Sequence, residues 1–193
     1  MHKQLATLAF ATTLALTTSA TPTQATSDLR SQASYTYMIS AHHSGKCLDI
    51  ENASRDQGAR LIQKTCDASS PSQKFIVEDG FSQTVRLNSS RLRTFAGLCL
   101  TRDHGDIDRG TSALTQQDCA PRDLQDRAHL VVPQQSWGKV TIKTLNYNLN
   151  YNRFETSGLC WAVWGGSSED GATVGSYRCY DALNLLFKFK EMR

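Results

Sequence analysis

The sequence predicts an all-β chain closed into a pseudo-threefold structure, and three observations predict it. Six cysteines fall into three pairs of nearly equal separation: 19 for Cys47 to Cys66, 20 for Cys99 to Cys119, and 19 for Cys160 to Cys179. A glycine stands two residues before each first cysteine, as Gly45, Gly97 and Gly158. Short segments rich in β-branched and aromatic residues flank each pair, with Ser, Asp, Asn and Gly between them and no amphipathic helix of useful length.

The repeat is carried by further phased positions. A second glycine followed by a small residue precedes each second cysteine, as Gly58-Ala59, Gly110-Thr111 and Gly171-Ala172. An aliphatic residue stands five positions before that cysteine, as Leu61, Leu114 and Val174. Glycine permits positive φ at a hairpin turn, and the aliphatic residue is expected to point into the core from the strand that ends at the cysteine. Each cysteine pair therefore staples one strand-turn-strand unit, and a bridge closing a loop of this size contributes about 3 kcal/mol. Opening strands are expected at Tyr37–Ile39, Thr84–Leu87 and Val140–Lys143, and closing strands at Phe75–Val77, Leu130–Val132 and Phe187–Phe189. Four short strands in each of three repeats suit a closed structure, because closure removes the edges that a lone four-stranded unit would expose.

The first cysteines are 52 and then 61 residues apart, so the third repeat carries extra chain. The stretch Leu145–Asn152 is read as a strand-loop insertion, either a polar hairpin with half-packed tyrosines or a dedicated ligand loop.

The N-terminus reads as a signal peptide. Met1-His2-Lys3 precedes an apolar run from Leu5 to Leu16, too short for a membrane-spanning helix. Cleavage is expected after Ala25 rather than after Ala20, giving a leader of residues 1–25 and a polar lead-in of 26–34. One domain follows over 35–193, with repeats of about 35–80, 81–136 and 137–193. Nothing else approaches a membrane span, so a secreted protein without membrane insertion is expected. An even cysteine count in an exported chain favours disulfides over metal or redox chemistry, and the five histidines form no zinc spacing with the cysteines. No metal or cofactor is expected. The formal net charge is +3, with no run of Lys/Arg interleaved with aromatics, which argues against a nucleic-acid partner.

The first repeat, Ser44-Gly45-Lys46-Cys47-Leu48-Asp49-Ile50 followed by Gly58-Ala59, Cys66 and Gln73-Lys74-Phe75, resembles a ricin-B-type lectin repeat. The resemblance implies a β-trefoil and a galactose-type glycan partner. In that family the sugar is held by an aspartate just after the first cysteine, an aromatic platform two residues before the second, and an Asn-Gln pair in the closing motif. The physics is general: a carboxylate accepts hydroxyl hydrogen bonds while an aromatic face packs on the apolar face of the sugar.

Carried over by position, the set is split between repeats. Repeat one keeps Asp49 and Gln73, with Lys64 at the platform, Ser72 for the asparagine and Gln63 as an additional hydrogen-bonding candidate. The other reading makes Asp49 a turn-capping acid and Gln73 a core residue bonding its own repeat. Repeat two has Thr101 and Gln117 at the acid and platform positions, and its closing motif near Leu124-Gln125-Asp126-Arg127 lacks the aromatic; only a shifted register would bring Asp103 into use. Repeat three keeps Tyr177 and Asn184 but has Ala162 for the acid and Leu185 for the glutamine. Trp161 and Trp164 lie nearby; at least one of them is expected in the core, and an exposed Trp164 beside Tyr177 would make a surface unlike a galactose pocket.

A carbohydrate-binding function is expected. The alternative is a non-catalytic cell-binding or partner-docking subunit of a toxin complex, since the cell-binding subunits of cytolethal distending toxins are also ricin-B-like with degenerate sugar sites. An enzyme is not expected: no Gly-x-Ser-x-Gly elbow, metal-ligand spacing or free nucleophilic cysteine is evident. Two sequons, at Asn52 and Asn88, would carry glycans only in a eukaryotic secretory route, and a glycan on Asn52 would crowd the repeat-one site.

Overall fold

The structure is a computed structural model that describes residues 34–79, 90–102, 111–119, 130–136, 139–148 and 153–192. These residues form twelve strands. They are β1 (Ser34–Ala41), β2 (Cys47–Ile50), β3 (Leu61–Lys64), β4 (Lys74–Asp79), β5 (Ser90–Arg93), β6 (Cys99–Arg102), β7 (Ser112–Gln117), β8 (Leu130–Ser136), β9 (Lys139–Asn148), β10 (Arg153–Val163), β11 (Val174–Arg178) and β12 (Leu186–Glu191).

Pairing is antiparallel throughout and separates the strands into two sets. Six close a ring in the order β1, β4, β5, β8, β9, β12 and back to β1. The other six form three hairpins, β2–β3, β6–β7 and β10–β11. Each hairpin joins the ring at its first cysteine, through Ser40↔Cys47, Arg93↔Cys99 and Lys143↔Cys160. The hairpins also meet one another in a cycle, at Arg60↔Thr115, Ala113↔Gly175 and Ile62↔Thr173. A six-stranded barrel capped by three hairpins is a β-trefoil, the architecture expected from the repeats.

The phased positions explain why these residues take this form. Leu48, Leu100 and Trp161, each following a first cysteine, are fully buried, as are Leu61, Leu114 and Val174 on the opposing strands. With Phe75, Phe187, Ile39 and Ile142 they make one apolar core. Trp161 is thus the core tryptophan of the adjacent pair. The glycine before each first cysteine has positive φ, 70° at Gly45, 82° at Gly97 and 70° at Gly158, a conformation a Cβ would strain. The disulfides pair as the spacing requires: Cys47–Cys66, Cys99–Cys119 and Cys160–Cys179.

The expected strands at Tyr37–Ile39, Phe75–Val77, Leu130–Val132, Val140–Lys143 and Phe187–Phe189 all lie in observed strands. The candidate at Thr84–Leu87 lies outside the described residues, and the strand opening the second repeat there is β5, from Ser90. The extra chain of repeat three lengthens the β9–β10 hairpin, where Leu145 to Asn148 pair with Thr156 to Arg153. Among the described residues no helix is long and apolar enough to cross a membrane.

Candidate functional site

The equivalent surfaces of the three repeats differ in what the hairpin and closing turn put together. In repeat one, Asp49 on β2 is only 4% exposed. Its Oδ2 accepts a hydrogen bond from Gln73 Nε2 at 3.0 Å. Gln73 also donates to the carbonyl of Thr65 at 3.0 Å and accepts from the amide of Asp67 at 2.8 Å. Its amide is therefore committed to tying β2 to the closing turn, and Asp49 Oδ1 is the one acceptor of the pair left without a partner among the described residues. Lys64 is exposed at the platform position.

Gln63 does not join them. Neighbours along a strand face opposite ways, so Gln63 and Lys64 cannot serve one surface. Gln63 is fully buried, and its amide donates to the carbonyls of Ser167 at 2.7 Å and Glu169 at 3.0 Å in repeat three while accepting from Ser44 at 2.8 Å. The equivalent Gln116 of repeat two grips the loop of repeat one in the same way, donating to Ser54 and Asp56 carbonyls at 3.0 and 2.8 Å. The position is a clasp between repeats. In repeat two, Thr101 is buried at the acid position, while Asp103 and the closing segment Leu124–Arg127 lie outside the described residues.

Repeat three brings together Trp164, Tyr177 and Asn184, three of the residues the sequence singled out, and adds Tyr180. They line a pocket of about 450 Å³ with Ala162, Val163, Gly165, Gly166 and, from repeat two, Thr111. Trp164, Tyr177 and Tyr180 are 38%, 43% and 53% exposed, unusual for large aromatics and expected where a ring surface awaits a partner. The two tyrosines meet edge to face with centroids 5.8 Å apart, so they form one wall. Asn184 Nδ2 donates to the carbonyl of Val163 at 2.9 Å, which fixes the amide and leaves Oδ1 and the second N–H for a ligand. No Asp, Glu, Lys or Arg lines the pocket among the described residues.

Two devices hold Trp164 in place. The first is glycine at Gly175, where Ile62 and Thr115 stand in the other repeats. A Cβ there would collide with Nε1 and Cε2 of the Trp164 indole and fall 2.6 Å from the carbonyl oxygen of Ser112. The second is the repeat-one clasp on the loop that follows Trp164. Besides Gln63, His43 Nε2 donates to the carbonyl of Ser167 at 2.8 Å, and Asp170 accepts from the Thr65 amide at 2.9 Å and from Lys46 Nζ at 2.5 Å. The hydrogen bond from Lys46, aided by those from Thr65, holds the Asp170 carboxyl below its ordinary value. Trp164-Gly165-Gly166 and the matching Glu51-Asn52-Ala53 make the same turn, with φ of 65° and 62° at the glycines and 56° and 49° at Asn52 and Ala53. Of these two turns, the one in repeat three meets that conformation with glycines and so without Cβ strain.

Residues 26–116 match the family model described as ricin-type beta-trefoil lectin domain-like. Over these residues the chain is similar to that family. The match covers repeat one and most of repeat two; the internal threefold extends the ricin-type fold through repeat three, where the pocket lies. Among solved structures the chain is similar to ThreeFoil, a designed threefold-symmetric protein, with a TM-score of 0.65 and 20% identity over 81% of this chain and 99% of that one. It is similar to the Rhizoctonia solani agglutinin, with a TM-score of 0.63 and 12% identity over 83% and 96%. The Macrolepiota procera ricin B-like lectin, solved with lactose, has a TM-score of 0.58 and 12% identity over 80% and 93%. At these identities the likeness establishes the β-trefoil fold. Comparison with curated proteins gave no significant match.

Proposed function

We propose that the chain is a secreted, non-catalytic carbohydrate-binding protein whose working site is the repeat-three pocket. One observation carries the reading: three exposed aromatics and a half-committed amide, all from one repeat, line a single open pocket of about 450 Å³. Aromatic faces pack on the apolar face of a pyranose, an anchored amide reads hydroxyls, and a pocket of that volume suits a saccharide of one or two rings. Similarity to a lectin-like family over residues 26–116 and a fold shared with a lactose-bound lectin support the same class of ligand. Repeat one keeps the polar residues of such a site, but Asp49 is buried, its Oδ2 is bonded to Gln73 and its unpartnered Oδ1 is buried too, with exposed Lys64 rather than a ring at the platform. Two unequal sites on one domain would gain from a glycan-dense surface.

Export is supported by the leader-like N-terminus and by the three disulfides. A glycan array probed with the oxidised protein tests the function. Binding that Tyr177→Ala weakens several-fold is expected. Binding untouched by Tyr177→Ala and lost in Asp49→Ala would move the working site to repeat one. A blank array at high protein density would overturn the reading and favour a protein-docking subunit of a secreted complex.

A further inference from the structure

The acid and glutamine missing from repeat three are a matched pair rather than two separate losses. Asp49 and Ala162 occupy the same position, two residues after the first cysteine, and Gln73 and Leu185 each end the closing turn, Pro71–Gln73 and Leu183–Leu185. In repeat one the two side chains are buried and bonded to each other at 3.0 Å. In repeat three both are apolar, both are buried, and they share one apolar cluster with Cys160. Replacing both partners of a buried hydrogen bond by apolar groups is nearly neutral for the fold, whereas replacing one is costly. The exchange therefore leaves neither partner of that bond orphaned while changing what the floor offers a ligand.

Resting on the carbohydrate reading above, we propose that the repeat-three pocket selects saccharides carrying an apolar substituent, an acetamido methyl or an alkyl or aryl aglycone, over the bare ring. Ala162 supplies an apolar floor, and Asn184, tied to the carbonyl of the adjacent Val163, sets an amide beside it. A bare hydroxyl turned to Ala162 gives up water and meets no carboxylate there, while a methyl is desolvated favourably; the Asn184 amide beside it is left to bond a neighbouring polar group. Leu183 does not line the pocket but adjoins the lining residue Asn184 in the closing turn; it is 56% exposed, in the place Pro71 holds in repeat one, and offers an apolar rim to a substituent that extends past Asn184. Four of the five exposed large hydrophobics among the described residues, Trp164, Tyr177, Tyr180 and Leu183, belong to this hairpin and its closing turn. Isolated exposed hydrophobics are ordinary, but a cluster around a pocket marks a binding surface.

The test is titration calorimetry of the oxidised full-length protein with methyl β-galactoside, methyl N-acetyl-β-galactosaminide and phenyl β-galactoside, repeated in the gluco series. At least one substituted ligand is expected to bind on the order of tenfold tighter than its bare parent. A gain in the acetamido arm places the substituent on the floor, and a gain in the phenyl arm places it over the rim. Two variants separate structure from selectivity. Ala162→Asp with Leu185→Gln, which installs the repeat-one pair, is expected to cancel the preference while unfolding stays cooperative. Leu183→Ser changes an exposed side chain and is expected to reduce a phenyl gain without touching an acetamido gain. If all ligands bind the unmodified protein within twofold of one another, or the double variant folds and keeps the preference, the selectivity is overturned and carbohydrate binding stands. If nothing binds at millimolar concentration, both fall.

Discussion

Gly175→Ala removes nothing from the pocket and adds one methyl group behind it. Gly175 pairs with Ala162 on β10 and with Ala113 on β7, so the backbone is held on both sides and cannot retreat. The new Cβ would overlap Nε1 and Cε2 of Trp164 and press on the carbonyl of Ser112. The backbone oxygen has no rotamer, so the indole must swing out. Forcing a methyl into a filled site costs about 1–3 kcal/mol. For a domain of this length that is a fall of roughly 2–4 °C in Tm per kcal/mol. Losing one ring from a stacked ligand costs about 0.5–1.5 kcal/mol, or roughly a 2- to 12-fold loss of affinity. Calorimetric titration with the best glycan and thermal unfolding read the two effects separately. Gly165→Ala is the control: it has positive φ, and its Cβ would meet nothing, so stability falls without the collision. Unchanged affinity and Tm in Gly175→Ala would refute the placement of Trp164 against this glycine.

Gln63→Ala removes both amide donors from the loop after Trp164, leaving the Ser167 carbonyl to His43 and the Glu169 carbonyl without that donor, so a loss of about 1–3 kcal/mol in urea unfolding is expected, together with weaker binding at repeat three. Asp49→Ala strands a buried donor of Gln73 and is expected to cost about 1–3 kcal/mol; Gln73→Leu costs more, because it also removes the bonds to Thr65 and Asp67, and a double-mutant cycle with no coupling between the two would contradict the pairing. Acid should loosen the clasp in one direction only. The folded Asp170 value is depressed, so its contribution is complete at neutral pH and is lost as pH falls below the ordinary 3.8 through the folded value. Glycan affinity followed down the acid limb should fall in that window in the unmodified protein, and Asp170→Asn should remove that step.

The framework was legible because it depends on local chemistry repeated three times. Cysteine spacing, positive-φ glycines and buried aliphatics each recur at fixed offsets, and the barrel and its three caps follow from them. The pocket lining was legible where one repeat contained the signal, as with Tyr177, Asn184 and Trp164. It was not legible where the partner sits in another repeat. Gln63 looks like a sugar-binding amide beside Lys64, yet the alternation of strand faces turns it toward Ser167 and Glu169, about a hundred residues away in sequence. Tyr180 directly follows the second cysteine, between the platform and the closing motif, where the other repeats have Asp67 and Ala120 and no aromatic. Gly175 had a signal, since the other repeats place Ile62 and Thr115 there, but its meaning requires the indole that fills the space. Ala162 and Leu185 read as two separate departures until the Asp49–Gln73 bond shows that they are one.

The most direct measurement of carbohydrate binding at repeat three is the indole N–H signal of Trp164 in a two-dimensional NMR titration with the tightest array glycan. The chain has three tryptophans, and Trp164→Phe assigns the signal. With Trp164 38% exposed in the pocket and Trp161 buried in the core, the Trp164 signal should move along the binding isotherm while that of Trp161 stays in place. Saturation of the protein with the Trp164 signal unmoved would contradict the assignment of the pocket as the site.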